Sequence, residues 1–141
     1  MNNCFGCKLS NKGEEVSVVY EDELITALLD IAPFNPGHVL IMSKKHYRYL
    51  DEFNQPTVHA LTNATQIISK ALKKLYTPDG ITIIQNGGYC DELTHFHLHI
   101  IPRFKEQKFS EFFDVRGKYA TRDELEAVKK QLITTLEELE K

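Results

Sequence analysis

The chain has 141 residues, 42% hydrophobic and 26% charged, with a formal net charge of −3. A chain this long buries roughly two thirds of its unfolded surface, so one core can hold it without disulfides or a metal. The mildly acidic balance gives no sign of a nucleic-acid-binding surface, and no apolar run approaches the roughly 18 residues of a membrane span.

The N-terminus, "MNNCFGCKLS", carries no apolar leader core, and with the absence of a span it implies a cytoplasmic protein. Cys4 and Cys7 form a Cys-x-x-Cys pair, and Cys90 makes the cysteine count odd, which argues against a secreted disulfide framework. A redox pair belongs between a strand and a helix. "NNCFGCKLSNKG" reads instead as an N-terminal turn leading into a polar loop, and zinc is the better reading of the pair. Cys90 reads as a simple small residue.

Alternation in "EVSVVYED" and the apolar run in "LITALLDI" predict two strands joined by a tight turn at Glu21 to Glu23. "APFNPGH" is a loop, followed by a third strand in "HVLIMS". From Gln55 to Tyr76 apolar residues recur at steps of three and four, which predicts an amphipathic helix with Asn54 as its cap. "ITIIQN" is a fourth strand, "GGYCDE" a glycine-bearing loop, and "THFHLHIIPR" a fifth strand closed by Pro102. "KEQKFSEFFDVRGKYA" is irregular. A second helix follows from Thr121 to about residue 140, with Thr121 and Glu124 as a capping box and Leu125, Val128, Leu132, Leu136 and Leu139 on one side. The whole, 1–141, reads as one α+β domain of mostly antiparallel strands with helices.

The fifth strand carries the chemistry. In extended backbone His95, His97 and His99 share one face, roughly 6.5 to 7 Å apart, while Phe96, Leu98 and Ile100 share the other. If the third and fifth strands are neighbours, His38 and His46 approach this row from opposite ends. His59, inside the helix pattern, reads as structural. Cys4, Cys7 and two histidines would be a standard set of zinc ligands. A remaining neutral imidazole can attack phosphorus or a carbonyl if one ring nitrogen is held as N–H and the other keeps its lone pair.

"THFHLHIIPR" resembles the histidine triad signature, His-φ-His-φ-His-φ-φ with φ apolar. The upstream "VYEDELITALLDIAPFNPGHVLIMSKKHYRYLDEF" is similar to the N-terminal half of the same family, so the resemblance spans roughly Cys4 to Phe104. It implies a five-stranded, mainly antiparallel sheet with two helices, pairing into a homodimer. It also implies a nucleotidyl hydrolase or transferase acting on a purine nucleotide, a dinucleoside polyphosphate or a nucleoside phosphoramidate. His97 would be the nucleophile that takes the nucleoside monophosphate, with His99 and His38 at the α-phosphate. Asp30 would meet the ribose hydroxyls, Ile31, Phe5, Leu9 and Leu28 would wall the base, and Gln85 or Asn86 would lie near the phosphates. Cys4, Cys7, His46 and His95 would hold a structural zinc. One departure stands out: where many relatives carry "GQxV" or "GQSV", this chain has "CDELT", and Asp91 and Glu92 would repel a polyphosphate unless they face away. Two other readings stay open: a zinc hydrolase with His95, His97 and His99 around an open metal, and a non-catalytic nucleotide-binding or scaffold module.

Overall fold

The computed structural model describes residues 3–108 and 119–139, which fall into two compact units divided after Gln107. Most of the irregular aromatic stretch read in the sequence, residues 109–118, lies outside the described residues.

The first unit runs α1 (Phe5–Ser10), β1 (Val18–Glu21), β2 (Ile25–Leu29), β3 (Val39–Ser43), α2 (Gln55–Tyr76), β4 (Gly80–Gln85) and β5 (His97–Arg103). The strands form one antiparallel sheet in the order β1-β2-β3-β5-β4. The third and fifth strands are thus neighbours, with Leu40 opposite His99 and Met42 opposite His97. The β1–β2 turn is fixed by Asp22, whose Oδ1 accepts the Leu24 and Ile25 N–H groups at 2.8 and 2.7 Å, a local side-chain bond that aspartate favours in turns. Strand β5 runs past Pro102 to Arg103 instead of stopping at the proline. This is tolerated because β3 pairs with β5 only as far as Ile100, so the missing N–H is not needed on that side.

Helix α2 begins where Asn54 Oδ1 accepts the Thr57 N–H at 3.0 Å, and it ends at Thr77 in the left-handed region. Its buried stripe of Ala60, Leu61, Ala64, Ile68 and Leu72 packs on the sheet face made by Ile25, Ala27, Val39, Ile41 and Ile100, with Phe96 and Phe53 at one end. Each such leucine or isoleucine contributes about 1.5–3 kcal/mol. The opposite face carries a smaller apolar cluster, Leu28, Leu40 and Met42, with Leu9, Val16 and Leu93 against it. His97 and His99, opposite Met42 and Leu40, lie on that second face.

Helix α1 corrects the N-terminal turn read in the sequence and makes three α-helices among the described residues. Cys4 caps it, its Sγ accepting the Cys7 N–H at 3.4 Å, and Thr26 Oγ1 donates to Ser10 O at 2.6 Å, tying its end to β2. Six residues are too few for a 3.6-residue period to show. The second unit contains α3 (Arg122–Leu139), opened by the expected capping box: Thr121 N–H donates to Glu124 Oε2 at 2.8 Å and Glu124 N–H to Thr121 Oγ1 at 3.2 Å. Among the described residues no helix is long and apolar enough to cross a membrane.

Candidate active site and metal centre

The three histidines face three different partners. His95 precedes the strand, at the exit from a turn in which Thr94 has a positive φ of 52°. Its side chain is fully buried, and its Nε2–H donates to Ser43 O at 2.7 Å. That bond fixes the tautomer, leaving the Nδ1 lone pair toward the cysteines. Nδ1 stands 3.6 Å from Cys4 Sγ and 3.4 Å from Cys7 Sγ, and His46 Nδ1 stands 3.4 Å from Cys7 Sγ. All four donor atoms lie within 4.8 Å of one another. Four ligands at zinc bond lengths of about 2.0–2.3 Å would put sulfur and nitrogen roughly 3.5 Å apart, so this donor set and spacing fit a closed tetrahedral site. Burial, and then the neighbouring Cys4, push the Cys7 thiol above its ordinary pKa; a bound cation would reverse that preference by favouring the thiolate. Gly6 makes the approach possible, since a Cβ there would lie 2.2 Å from His95 Cβ.

His97 is held differently. Its Nδ1–H donates to His95 O at 2.9 Å. A carbonyl only accepts, so Nδ1 carries the proton and the neutral ring keeps its lone pair on Nε2.

His99 belongs to a relay with the loop between β2 and β3. The Phe34 N–H donates to His38 Nδ1 at 3.0 Å, so the proton of His38 sits on Nε2, which donates to His99 Nδ1 at 2.8 Å. His99 therefore carries its proton on Nε2. Asp30 Oδ2 lies 3.4 Å from His38 Nε2 and 4.0 Å from His99 Nδ1. Burial, reinforced by the neighbouring His97 and His38, pulls His99 down to about 4, and burial lowers His38 against the opposing charge of Asp30. Both rings are neutral at neutral pH. Asp30, His38 and His99 are close enough to hold a cation, but His38 Nε2 bears a proton while Phe34 N–H occupies Nδ1, so the cluster is built to pass hydrogen bonds. The loop that brings His38 here turns through Gly37, at φ 93°, where a Cβ would strike Tyr76.

His97 and His99 line a cavity of about 450 Å³ together with Asp30, Ile31, Phe5, Leu9 and Leu28. Val16, Leu29, Leu40 and Leu93 complete its apolar walls, and Glu14, Glu15 and Glu92 stand at it as well. Gln85 and Asn86 are not among the lining residues. Gln85 pairs with Leu98 across the strands and so shares the face packed by α2, away from the histidines. The two acidic residues of "CDELT" part company: Glu92 lines the cavity, while Asp91 is buried beside the His97 ring. The three triad imidazoles do not converge on one point, which removes the geometric basis for an open metal held by all three.

A model of the HIT domain matches residues 11–106, about two thirds of the chain. The protein belongs to the histidine triad (HIT) family. A HIT-like protein of Methanocaldococcus jannaschii is 40% identical over 104 residues, covering 72% of this chain and 80% of its own length. An adenylylsulfatase of Arabidopsis thaliana is 34% identical over 104 residues (72% of this chain, 53% of that protein), and an adenosine 5′-monophosphoramidase of Schizosaccharomyces pombe is 28% identical over 107 residues (74% and 77%). Among solved structures, a HIT family protein from Bacillus anthracis superposes with a TM-score of 0.81 at 27% identity, covering 95% of this chain and 97% of that one. A zinc-bound histidine triad family protein from Mycobacterium smegmatis gives 0.69 at 28% identity, with 95% and 98% covered. HIT proteins thus include nucleotide hydrolases, and the five-stranded antiparallel sheet is the family fold.

Neither Gly6 nor the Ser43 carbonyl was singled out by sequence pattern. The signal for Gly6 was its place inside the Cys-x-x-Cys, where a residue without a side chain implies close approach. Ser43 acts through its backbone and left no signal at all.

Proposed function

We propose that this HIT protein is a nucleotidyl hydrolase or transferase that acts on a purine nucleotide through a covalent intermediate on His97. The observation that carries the reading is the His97 Nδ1–H bond to His95 O at 2.9 Å, which reserves the Nε2 lone pair for attack in a ring lining the cavity. The base stacks among Phe5, Leu9, Leu28 and Ile31, and Asp30 accepts hydrogen bonds from the ribose. Nε2 bonds to the α-phosphorus as the leaving group departs with its electron pair. His99 Nε2–H, backed by His38, donates to a phosphoryl oxygen as charge builds there. Water then attacks the same phosphorus and frees the nucleoside monophosphate. Nucleoside phosphoramidates, adenylyl sulfate and dinucleoside polyphosphates are the substrate classes to compare. Glu14, Glu15 and Glu92 at the cavity favour leaving groups carrying little negative charge.

Cys4, Cys7, His46 and His95 would hold zinc with no open position, so the metal is structural and pins α1 to the entrance of β5. A homodimer belongs to the same reading, and the apolar positions along α3 support a paired surface. Gel filtration with light scattering tests it, a monomer refuting it. Asn86 remains the candidate amide near the phosphates.

The functional test is steady-state hydrolysis of adenosine 5′-phosphoramidate, adenylyl sulfate and diadenosine tetraphosphate by wild-type and His97→Ala protein. The expected loss in the variant is at least about 10³-fold with zinc content unchanged. A nucleotide bound and returned intact by the wild type would favour the binding-module reading.

A further inference from the structure

Asp91 has an environment that a turn residue does not require. Its N–H donates to Gly88 O at 3.0 Å, and its Oδ1 accepts the Leu93 N–H at 2.9 Å, which shapes the turn into the histidine strand. Its side chain is completely buried, with Oδ1 3.6 Å from His97 Nδ1. Oδ2 is buried and has no hydrogen-bond partner among the described residues. Asparagine or serine would make the same turn bond without burying a charge. A buried carboxylate with an unpartnered oxygen destabilises the fold unless a positive charge faces it. In the resting site the neighbouring His97 ring, with one proton on Nδ1 and a lone pair on Nε2, supplies none. It becomes positive once Nε2 is bonded to phosphorus.

We infer that Asp91 is a positioning residue for His97: its charge, 3.6 Å from the Nδ1–H that the His95 carbonyl fixes, stabilises the cationic phosphorylated ring. This rests on the reading of His97 as nucleophile. In the first step the Nε2–P bond forms and the bond to the leaving group breaks, its electron pair leaving with that group. The ring keeps the Nδ1 proton and takes a formal positive charge 3.6 Å from Asp91 Oδ1. In the second step water attacks phosphorus, the N–P pair returns to Nε2, and the ring is neutral again, with the water protons going to product and solvent. Asp91 is absent from the cavity lining, so it acts on the ring from behind and does not meet the nucleotide. The departure from "GQxV" at this position thereby changes how the nucleophile is supported, and Glu92 alone of the pair bears on the choice of leaving group.

An opposite charge at this range shifts a charged-form equilibrium by about one to three powers of ten. The experiment is rapid quench of the zinc-loaded full chain with adenosine 5′-phosphoramidate, following adduct formation and adduct hydrolysis separately in wild type, Asp91→Asn, Asp91→Ser and His97→Ala, with thermal melts of each. The inference predicts that both Asp91 variants form adduct about 10- to 1000-fold more slowly. They should hydrolyse it no more slowly than wild type, keep KM within about threefold, and melt at or above the wild-type temperature. Adduct formation within twofold of wild type in a folded Asp91 variant overturns the inference and leaves His97 as nucleophile. Loss of rate together with loss of melting temperature, or failure of both variants to fold, assigns Asp91 to the scaffold and also overturns it. Undiminished turnover by His97→Ala, or no adduct in the wild type, sinks the nucleophile reading itself and the inference with it.

Discussion

Gly6→Ala would place a Cβ 2.2 Å from His95 Cβ and 2.5 Å from its Cγ. Carbon atoms in good contact stand about 3.5–4.0 Å apart, so one side must retreat by roughly 1.5 Å. His95 is fully buried and held by its 2.7 Å bond to Ser43 O, whereas α1 is a six-residue helix of which only Gly6 and Ser10 are buried. The helix gives way and carries Cys4 and Cys7 with it. Their present spacings of 3.4 and 3.6 Å to His95 Nδ1 then open to about 5 Å, far outside the roughly 0.2 Å tolerance of a zinc site. Overpacking of this kind costs about 1–3 kcal/mol, or about 3–12 °C in a chain of this size, before any loss of metal. Metal content after gel filtration and thermal melts with and without EDTA are the assay. Wild type should hold about one zinc per chain and melt lower in EDTA; Gly6→Ala should hold little zinc, melt lower from the outset and barely respond to EDTA. A variant with full zinc and an unchanged melt would refute the close-packing argument.

Three further outcomes follow from the same geometry. Asp30→Asn should raise KM for adenosine 5′-phosphoramidate by about tenfold, as expected for one charged hydrogen bond to a ribose hydroxyl, with kcat less affected; an unchanged KM removes Asp30 from the ribose. His99 titrates near 4 in the fold but near its ordinary value of about 6.5 when unfolded. The unfolded state therefore binds more protons between these values, and the stability present above pH 6.5 is lost as pH falls toward 4. Melts across that window should show a slope that flattens in His99→Asn; equal slopes would contradict the burial argument. Glu92→Gln should raise kcat/KM for diadenosine tetraphosphate relative to adenosine 5′-phosphoramidate by a few-fold, through removal of one like charge from the cavity, and an unchanged ratio would show that Glu92 does not bear on the leaving group.

The strands, α2 and its N-cap Asn54 were legible because their signals are local and periodic. Phe96, Leu98 and Ile100 against the histidine row, and Ala60 to Leu72 at helical steps, each mark a buried face. His38 and His46 could be set at the two ends of the row because only neighbouring third and fifth strands would bring them there, and β3 and β5 are neighbours. What stayed hidden depends on three-dimensional neighbours. The tautomers of His95, His97 and His38 are set by the Ser43 and His95 carbonyls and the Phe34 N–H, which are backbone groups without a residue-type signature. Helix α1 was too short for a period. The face of Gln85 depended on a strand register that one residue of slip inverts. Asp91 showed as a charge in the sequence, but which way it turned was decided by its bond to the Leu93 N–H.

The most direct test of the central claim is the mass of the intact protein, quenched at neutral pH and kept cold, seconds after mixing with adenosine 5′-phosphoramidate. An acid-labile adduct of one adenosine monophosphate is expected on the wild type, mapped to His97 and absent from His97→Ala. Steady turnover by the wild type with no adduct under any quench, or an adduct that persists in His97→Ala, would contradict it.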